Sequence, residues 1–79
     1  YPNPFNGSTK ISYEISTVSN VNITVYDILG REVATLVSEQ TIPGVYTKKW
    51  DATQFPSGVY FYRLSTPSVV ATKKMIYIR

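Results

Sequence analysis

Pro56-Ser57-Gly58-Val59-Tyr60 repeats, with one residue inserted, the shorter phrase Pro43-Gly44-Val45-Tyr46. In both copies proline fixes the backbone on the approach, and glycine permits a left-handed or closely packed backbone at the corner. A tyrosine two residues after the glycine can place its ring in the core while its hydroxyl reaches a nearby backbone group. The phrase therefore predicts two similar corners, each leading into a strand, with structural roles for Tyr46 and Tyr60.

Alternation of apolar and polar residues extends in both directions from these corners. It is clearest at residues 9–15, where Ile11, Tyr13 and Ile15 share one face. Such alternation is typical of a strand that is buried on one face. Further strands are predicted at residues 21–26, 31–37, 45–50, 59–65 and 69–78, the last being one strand or a bulged pair, with loops at 16–20, 38–43 and 51–57.

The turn Asp27-Ile28-Leu29-Gly30 joins the second and third predicted strands. Asp at its start and Gly at its end fit a type I turn closed by a left-handed residue. The best helix candidate, residues 27–37, contains Gly30 and β-branched residues, which disfavour a helix. Short strands linked by short loops predict an all-β fold, namely an immunoglobulin-like antiparallel β-sandwich of six to seven strands. The alternative is a small barrel such as an OB-fold.

The composition limits the chemistry that this chain can perform. It contains no cysteine and no histidine, so thiolate and imidazole groups are not available as nucleophiles, bases or metal ligands. The acidic residues are Glu14, Asp27, Glu32, Glu39 and Asp51. They form no pattern typical of paired catalytic carboxylates or of a calcium loop. We therefore expect no enzyme activity, no cofactor and no metal site.

The charge and the apolar runs also bear on partners. A net charge of +3 is only mildly basic, so no nucleic-acid partner is expected, although anionic polysaccharide or lipopolysaccharide is compatible. No apolar run approaches the roughly 20 residues that a membrane-spanning helix needs, so no transmembrane segment is expected. Because the chain starts with Tyr and shows no signal peptide, we expect it to be the tail piece of a longer polypeptide.

The aromatic residues divide into two expected groups. Residues on the apolar faces of their strands are expected in or near the core: Tyr13, Tyr46, Trp50, Tyr60 and Tyr62. Tyr26 and Phe61 lie on the opposite faces and are expected to be exposed. Exposed aromatic rings beside basic residues can bind sugar rings, which leaves a carbohydrate-binding module as an alternative function.

The last predicted strand carries Lys73, Lys74 and Arg79, and we expect it at a sheet edge. Lysines on an edge strand commonly discourage aggregation. The same residues can instead form a tag that a partner reads by strand addition and charge. The residues alone leave both roles open.

A set of motifs covers essentially the whole chain. They are Tyr1-Pro2-Asn3-Pro4-Phe5-Asn6, Ile11-Ser12-Tyr13, Val25-Tyr26-Asp27-Ile28-Leu29-Gly30-Arg31-Glu32-Val33, Pro43-Gly44-Val45-Tyr46, Trp50-Asp51, Ser57-Gly58-Val59-Tyr60-Phe61-Tyr62-Arg63-Leu64 and Lys73-Lys74-Met75-Ile76. This set resembles the C-terminal sorting domain, type A, of the type IX secretion system, found on proteins exported by Bacteroidota and related phyla. The immunoglobulin-like domain of flagellar hook-capping proteins is also similar, which supports the sandwich.

The resemblance implies a non-catalytic sorting function for one domain that spans residues 1–79. Such domains follow a cargo enzyme or adhesin, fold in the periplasm and are recognised by the outer-membrane translocon. The cargo then reaches the cell surface or the medium, where a sortase-like protease removes the domain and the cargo is released or joined to anionic lipopolysaccharide. By this similarity the translocon-binding residues are Gly58, Val59, Tyr60, Lys73, Lys74, Met75, Ile76, Ile78 and Arg79. The alternatives are a carbohydrate-binding or a structural immunoglobulin-like accessory module of a secreted enzyme.

The chain departs from the family pattern at two positions. Gly7 stands where Pro is common, which loosens the lead-in without changing the fold, and Arg79 stands where many members end in Lys. Arginine keeps the positive charge but replaces an ammonium with a planar guanidinium. A partner that reads only the charge tolerates this change, whereas one that reads the ammonium does not.

Overall fold

The computed structural model describes residues 4–79, which form six strands in two sheets. The strands are β1 (Ser8–Ile15), β2 (Ser19–Asp27), β3 (Glu32–Thr41), β4 (Gly44–Asp51), β5 (Gly58–Ser65) and β6 (Val70–Tyr77). β1 pairs with β4, and the larger sheet has the order β3-β2-β5-β6, with every strand pair antiparallel. Residues 4–79 contain no helix. The predicted all-β sandwich is confirmed, whereas Tyr1-Pro2-Asn3 of the opening motif lies outside the described residues.

The core lies between the inner faces of the two sheets. Its fully buried aliphatic side chains are Ile11, Val21, Ile23, Val25 and Met75. In β1 and β2 these residues alternate with exposed ones, as the period of two predicts. Each buried aliphatic side chain contributes roughly 1.5–3 kcal/mol, so this alternation is what holds the sheets together.

The expected core aromatic residues are found in or beside the core. Trp50, Tyr60 and Tyr62 are buried, and Tyr13 and Tyr46 pack against the core while partly exposed. Tyr13 stacks on Tyr46 with ring centroids 5.5 Å apart, directly across the β1–β4 ladder. Aromatic rings thus supply much of the volume that a chain of this size needs inside.

The two repeated corners have the same hydrogen bond. The hydroxyl of Tyr46 donates to the carbonyl of Ile42 at 2.6 Å, and that of Tyr60 donates to the carbonyl of Pro56 at 2.7 Å. Each bond joins a tyrosine near the start of its strand to a residue four positions earlier, in the corner before that strand. The predicted structural role of both tyrosines is confirmed.

Both corner glycines have the positive φ that glycine permits. Gly44 has φ of +158° and Gly58 has φ of +156°, values that residues with a side chain rarely adopt. At Gly44 the close-packing explanation applies, because an added Cβ would lie 3.4 Å from the ring of Tyr46. Gly30 has φ of +82°, the left-handed value that the turn after β2 predicts, and Gly7 has a similar φ of +79°.

Several predicted strand boundaries are wrong. The predicted loop at 38–43 is largely strand, because β3 continues to Thr41 and pairs with the first residues of β2. Polar residues do not prevent a ladder whose hydrogen bonds are made by the backbone. β6 is a single strand in continuous register with β5. The irregularities lie in β3 instead, where Val33 and Leu36 are extra residues opposite β2.

Candidate functional site

The two segments that the resemblance assigns to recognition lie side by side. β5 and β6 pair so that Gly58 lies opposite Tyr77, Val59 opposite Ile76, and Tyr60 opposite Met75. The start of β5 and the end of β6 therefore meet at one end of the larger sheet. We call this end, formed by residues 57–60 and 73–79, the tail surface.

The corner before β5 holds the end of the chain. The backbone N–H of Arg79 donates to Ser57 Oγ at 3.0 Å. The hydroxyl of Tyr60 fixes the same corner by its bond to Pro56. Corner and tail are therefore one structural unit, although 22 residues separate Ser57 from Arg79.

Phe5 of the opening motif binds the edge of the tail. Its N–H donates to the carbonyl of Ile76 at 2.9 Å, and its carbonyl accepts from the N–H of Ile78 at 3.0 Å. These bonds make a short parallel bridge beside Tyr77. β6 is an edge strand, as predicted, but Phe5 already occupies its edge between residues 76 and 78.

A cluster of aromatic rings in the core packs beneath the strands that form the tail surface. Phe5 stacks on Tyr77 at 5.2 Å and meets the edge of Trp50 at 6.0 Å. Trp50 in turn lies 5.7 Å from Phe55 and 5.2 Å from Tyr60. Burial, with a smaller effect of the Asp27 charge, raises the pKa of the Tyr60 phenol, so this group stays a neutral donor. Each aromatic pair is worth about 0.5–1.5 kcal/mol beyond its area, which favours a rigid tail.

The predicted recognition residues differ in their access to solvent. Gly58, Lys73, Lys74, Ile78 and Arg79 are exposed, and Ile78 keeps 51% of its surface. Val59 and Ile76 are half-buried and lie opposite each other on the outer face. Tyr60 and Met75 are buried, at 5% and 0% exposure, so their side chains support this surface from the core.

The turn between β2 and β3 lies beside the tail surface, which the sequence did not reveal. Asp27 Oδ1 accepts from the N–H groups of Leu29 and Arg31, and Asp27 Oδ2 accepts from Arg31 Nε at 2.8 Å. The backbone bond from Arg31 is the main reason that the pKa of Asp27 lies below its usual value. Ile28 and Leu29 are exposed at the tip, and a groove of about 310 Å³ separates this turn from the corner at residues 55–60.

Tyr26 and Phe61 are half-buried rather than fully exposed. They are cross-strand neighbours on the outer face of the larger sheet. Arg63 donates to the Tyr26 hydroxyl at 3.0 Å, and its guanidinium lies 5.3 Å from the ring centroid. The cation covers Tyr26, so this aromatic pair is not the open platform that sugar stacking requires.

Residues 4–79 contain neither a cluster of metal ligands nor a membrane-spanning helix. No group of three or more acidic side chains lies close enough together there to hold a metal ion. That part of the chain also contains no helix with the length and apolar character needed to cross a membrane.

The comparison with protein families decides the identity. A family model described as secretion system C-terminal sorting domain matches residues 1–79. The chain belongs to this family. The family is a non-catalytic one, and this chain is a C-terminal sorting signal for type IX secretion, which directs proteins to the cell surface or the extracellular space. The sorting function predicted from the motifs is confirmed, and the accessory-module alternative is not favoured. Neither the curated proteins nor the solved structures contain a match to this chain.

Proposed function

We propose that the outer-membrane translocon of the type IX system recognises this sorting domain at the tail surface. The observation that carries the proposal is the hydrogen bond from the Arg79 N–H to Ser57 Oγ, because it joins the corner and the tail into one surface. The groups that a partner can reach there are Gly58, Val59, Lys73, Lys74, Ile76, Ile78 and Arg79.

The chemistry of this surface favours a partner with an apolar patch and acidic surroundings. Ile78 is exposed and Val59 and Ile76 are half-exposed, so apolar area is available for burial on docking. Lys74 on the same face and Arg79 at the end of the tail supply positive charge around it, and Lys73 adds charge on the opposite face of β6. Complementary charge accelerates encounter and fixes orientation, while the apolar centre supplies affinity.

Tyr60 and Met75 contribute to recognition indirectly. Both are buried, lie opposite each other and face the core, so they set the position of the neighbouring accessible residues. Phe5 occupies the backbone groups of Ile76 and Ile78 that an added strand would need. The partner therefore reads side chains at residues 76–78, and the charge of the neighbouring Lys74 and Arg79, rather than adding a strand there.

Family membership supports a proposal for the remaining steps. The domain spans residues 1–79, follows an upstream cargo and crosses the periplasm already folded. A sortase-like protease then removes it, and the cargo is released or joined to anionic lipopolysaccharide. The chain itself performs no catalysis and needs no cofactor, in keeping with its lack of cysteine and histidine.

The test is secretion of a fused reporter from a host with the type IX pathway. Deleting residues 73–79 should leave the reporter in the periplasm, but this also removes buried Met75 and Tyr77. The decisive variant is therefore Lys74→Gln with Arg79→Gln, which leaves the core intact and removes two positive charges. Its control is Lys48→Gln with Lys49→Gln, an exposed pair of adjacent lysines on β4. Secretion of the tail variant at the control's level would exclude recognition by tail charge.

A further inference from the structure

The sandwich is incomplete beside β1. Met75 and Tyr77 on the inner face of β6 are buried, but Ala71 and Lys73 on that same face are exposed. The smaller sheet has only two strands, so nothing in residues 4–79 covers this half of β6. β6 therefore extends past β1, and we call its uncovered inner face at residues 71–73 the ledge.

A cleft of about 180 Å³ lies between this ledge and β1. Its walls come from β1, β5 and β6 through Ile11, Tyr13, Tyr62, Leu64, Ala71 and Lys73. A cavity of about 150 Å³ holds a benzene molecule, so this cleft has room for one apolar side chain. Lys73 is its only charged lining residue, and within residues 4–79 no carboxylate pairs with Lys73.

The other three sheet edges carry bulges, adjacent lysines or an added segment, whereas that of β1 carries a single exposed lysine, Lys10. β3 carries two bulges, β4 carries adjacent exposed lysines, and Phe5 closes one end of β6. β1 has eight consecutive partners in β4 without a shift in register, which makes it a regular strand. Regular edges without bulges are the ones to which an additional strand adds most readily.

The backbone groups on the open side of β1 can be identified. The N–H of Ala52 donates to the carbonyl of Gly7 at 2.9 Å, one place before the first β1–β4 pair. Hydrogen-bonded and non-hydrogen-bonded pairs alternate along an antiparallel ladder. The backbone groups of Lys10, Ser12 and Glu14 therefore point away from β4, toward the space above the ledge.

We propose that this edge binds an extended segment of the type IX translocon as a third strand of the smaller sheet. One apolar side chain of the segment enters the cleft, and an acidic residue pairs with Lys73. A single strand fits better than a second copy of the chain. If a second copy paired with this one through its own β1, the β6 strands of the two copies would face each other. Their like-charged Lys73 side chains would then lie close together. This inference rests on translocon recognition, but on a surface separate from residues 76–79.

The test compares two pairs of variants in the reporter fusion. Ser12→Pro removes an outward N–H of β1, and its control is Thr47→Pro, directly opposite on β4. Both changes remove the contact of 3.4 Å between the Ser12 and Thr47 hydroxyls, so this loss is the same in the two variants. The variants differ in which strand edge they block. Ala71→Trp fills the cleft, and its control is Thr72→Trp, which faces the other side of β6. Protease resistance of each fusion shows that the domain remains folded.

We expect Ser12→Pro and Ala71→Trp to lower secretion about tenfold relative to their controls, the equivalent of one or two lost hydrogen bonds. If Ser12→Pro fails to fold, the comparison of Ala71→Trp with Thr72→Trp decides. Secretion of both blocking variants at the level of their controls, while the glutamine variants of the tail are retained, overturns this inference and leaves the tail proposal intact. A wild-type dimer in sedimentation that Ser12→Pro dissociates, with secretion unchanged, assigns the edge to a second copy and also overturns it.

Discussion

Replacing Phe5 by alanine tests whether the opening motif holds the tail in place. The ring is only 3% exposed and contacts both Tyr77 and Trp50. Removing a buried phenylalanine side chain costs about 3–5 kcal/mol. A domain of this length has a free energy of unfolding of about 4–12 kcal/mol, so Phe5→Ala removes a large part of it. The backbone bonds of residue 5 to Ile76 and Ile78 remain possible in the variant, but the ring no longer holds them.

The assay is urea unfolding of the domain on its carrier, together with hydrogen exchange at the amide of Ile78. We expect a midpoint well below that of wild type and loss of protection at Ile78. Phe61→Ala is the control, because Phe61 is a half-buried phenylalanine on the outer face, so its loss should cost less. The reasoning fails if Phe5→Ala unfolds at the midpoint of Phe61→Ala, or if Ile78 stays fully protected.

Four further changes test separate parts of the structure. Tyr60→Phe should lower the free energy of unfolding by about 1 kcal/mol through loss of the hydroxyl bond to Pro56, and an unchanged urea midpoint would contradict this. Thr9→Val should raise it by about 1 kcal/mol, because the buried Thr9 hydroxyl has no hydrogen-bond partner in residues 4–79; a lower melting temperature would argue against that. Gly58→Val should cost about 1–3 kcal/mol because φ of +156° suits few other residues, and a parental thermal melt would show the corner to be tolerant. Because the fold lowers the pKa of Asp27, the ionised carboxylate stabilises the folded state. This stabilisation is complete above the unfolded pKa of about 3.9 and is lost as pH falls through the folded pKa. Asp27→Asn should therefore weaken the decline of stability at acid pH, which urea unfolding between pH 2 and pH 6 would measure; an unchanged acid profile would refute it.

Local patterns were sufficient to predict much of this fold. The alternation around Ile11 and Ile23 identified buried strand faces, because side-chain direction along a strand depends only on neighbouring positions. The corner phrase predicted the hydroxyl bonds of Tyr46 and Tyr60 for a similar reason, since each bond spans four residues. The extension of β3 to Thr41 was missed because its last residues are polar and show no apolar face.

The proposed recognition site was harder to predict, because it depends on contacts between residues that are distant in sequence. The motifs singled out residues 58–60 and 73–79, but only the β5–β6 register shows that Gly58 and Tyr77 are neighbours. The bridge from Phe5 to Ile76 is a backbone contact, which no side-chain pattern specifies. Ala71 is likewise uncovered because the opposite sheet has only two strands, and the number of strands in a sheet is a property of the whole fold.

The most direct measurement is made on a folded carrier protein that is not itself secreted by the type IX pathway. The carrier is given an export signal to the periplasm, and its amount outside the cell is compared with and without this 79-residue chain at its C-terminus. We expect the carrier outside the cell only when the chain is attached and the type IX pathway is intact. Retention of the intact fusion in the periplasm, with the domain folded, would contradict it.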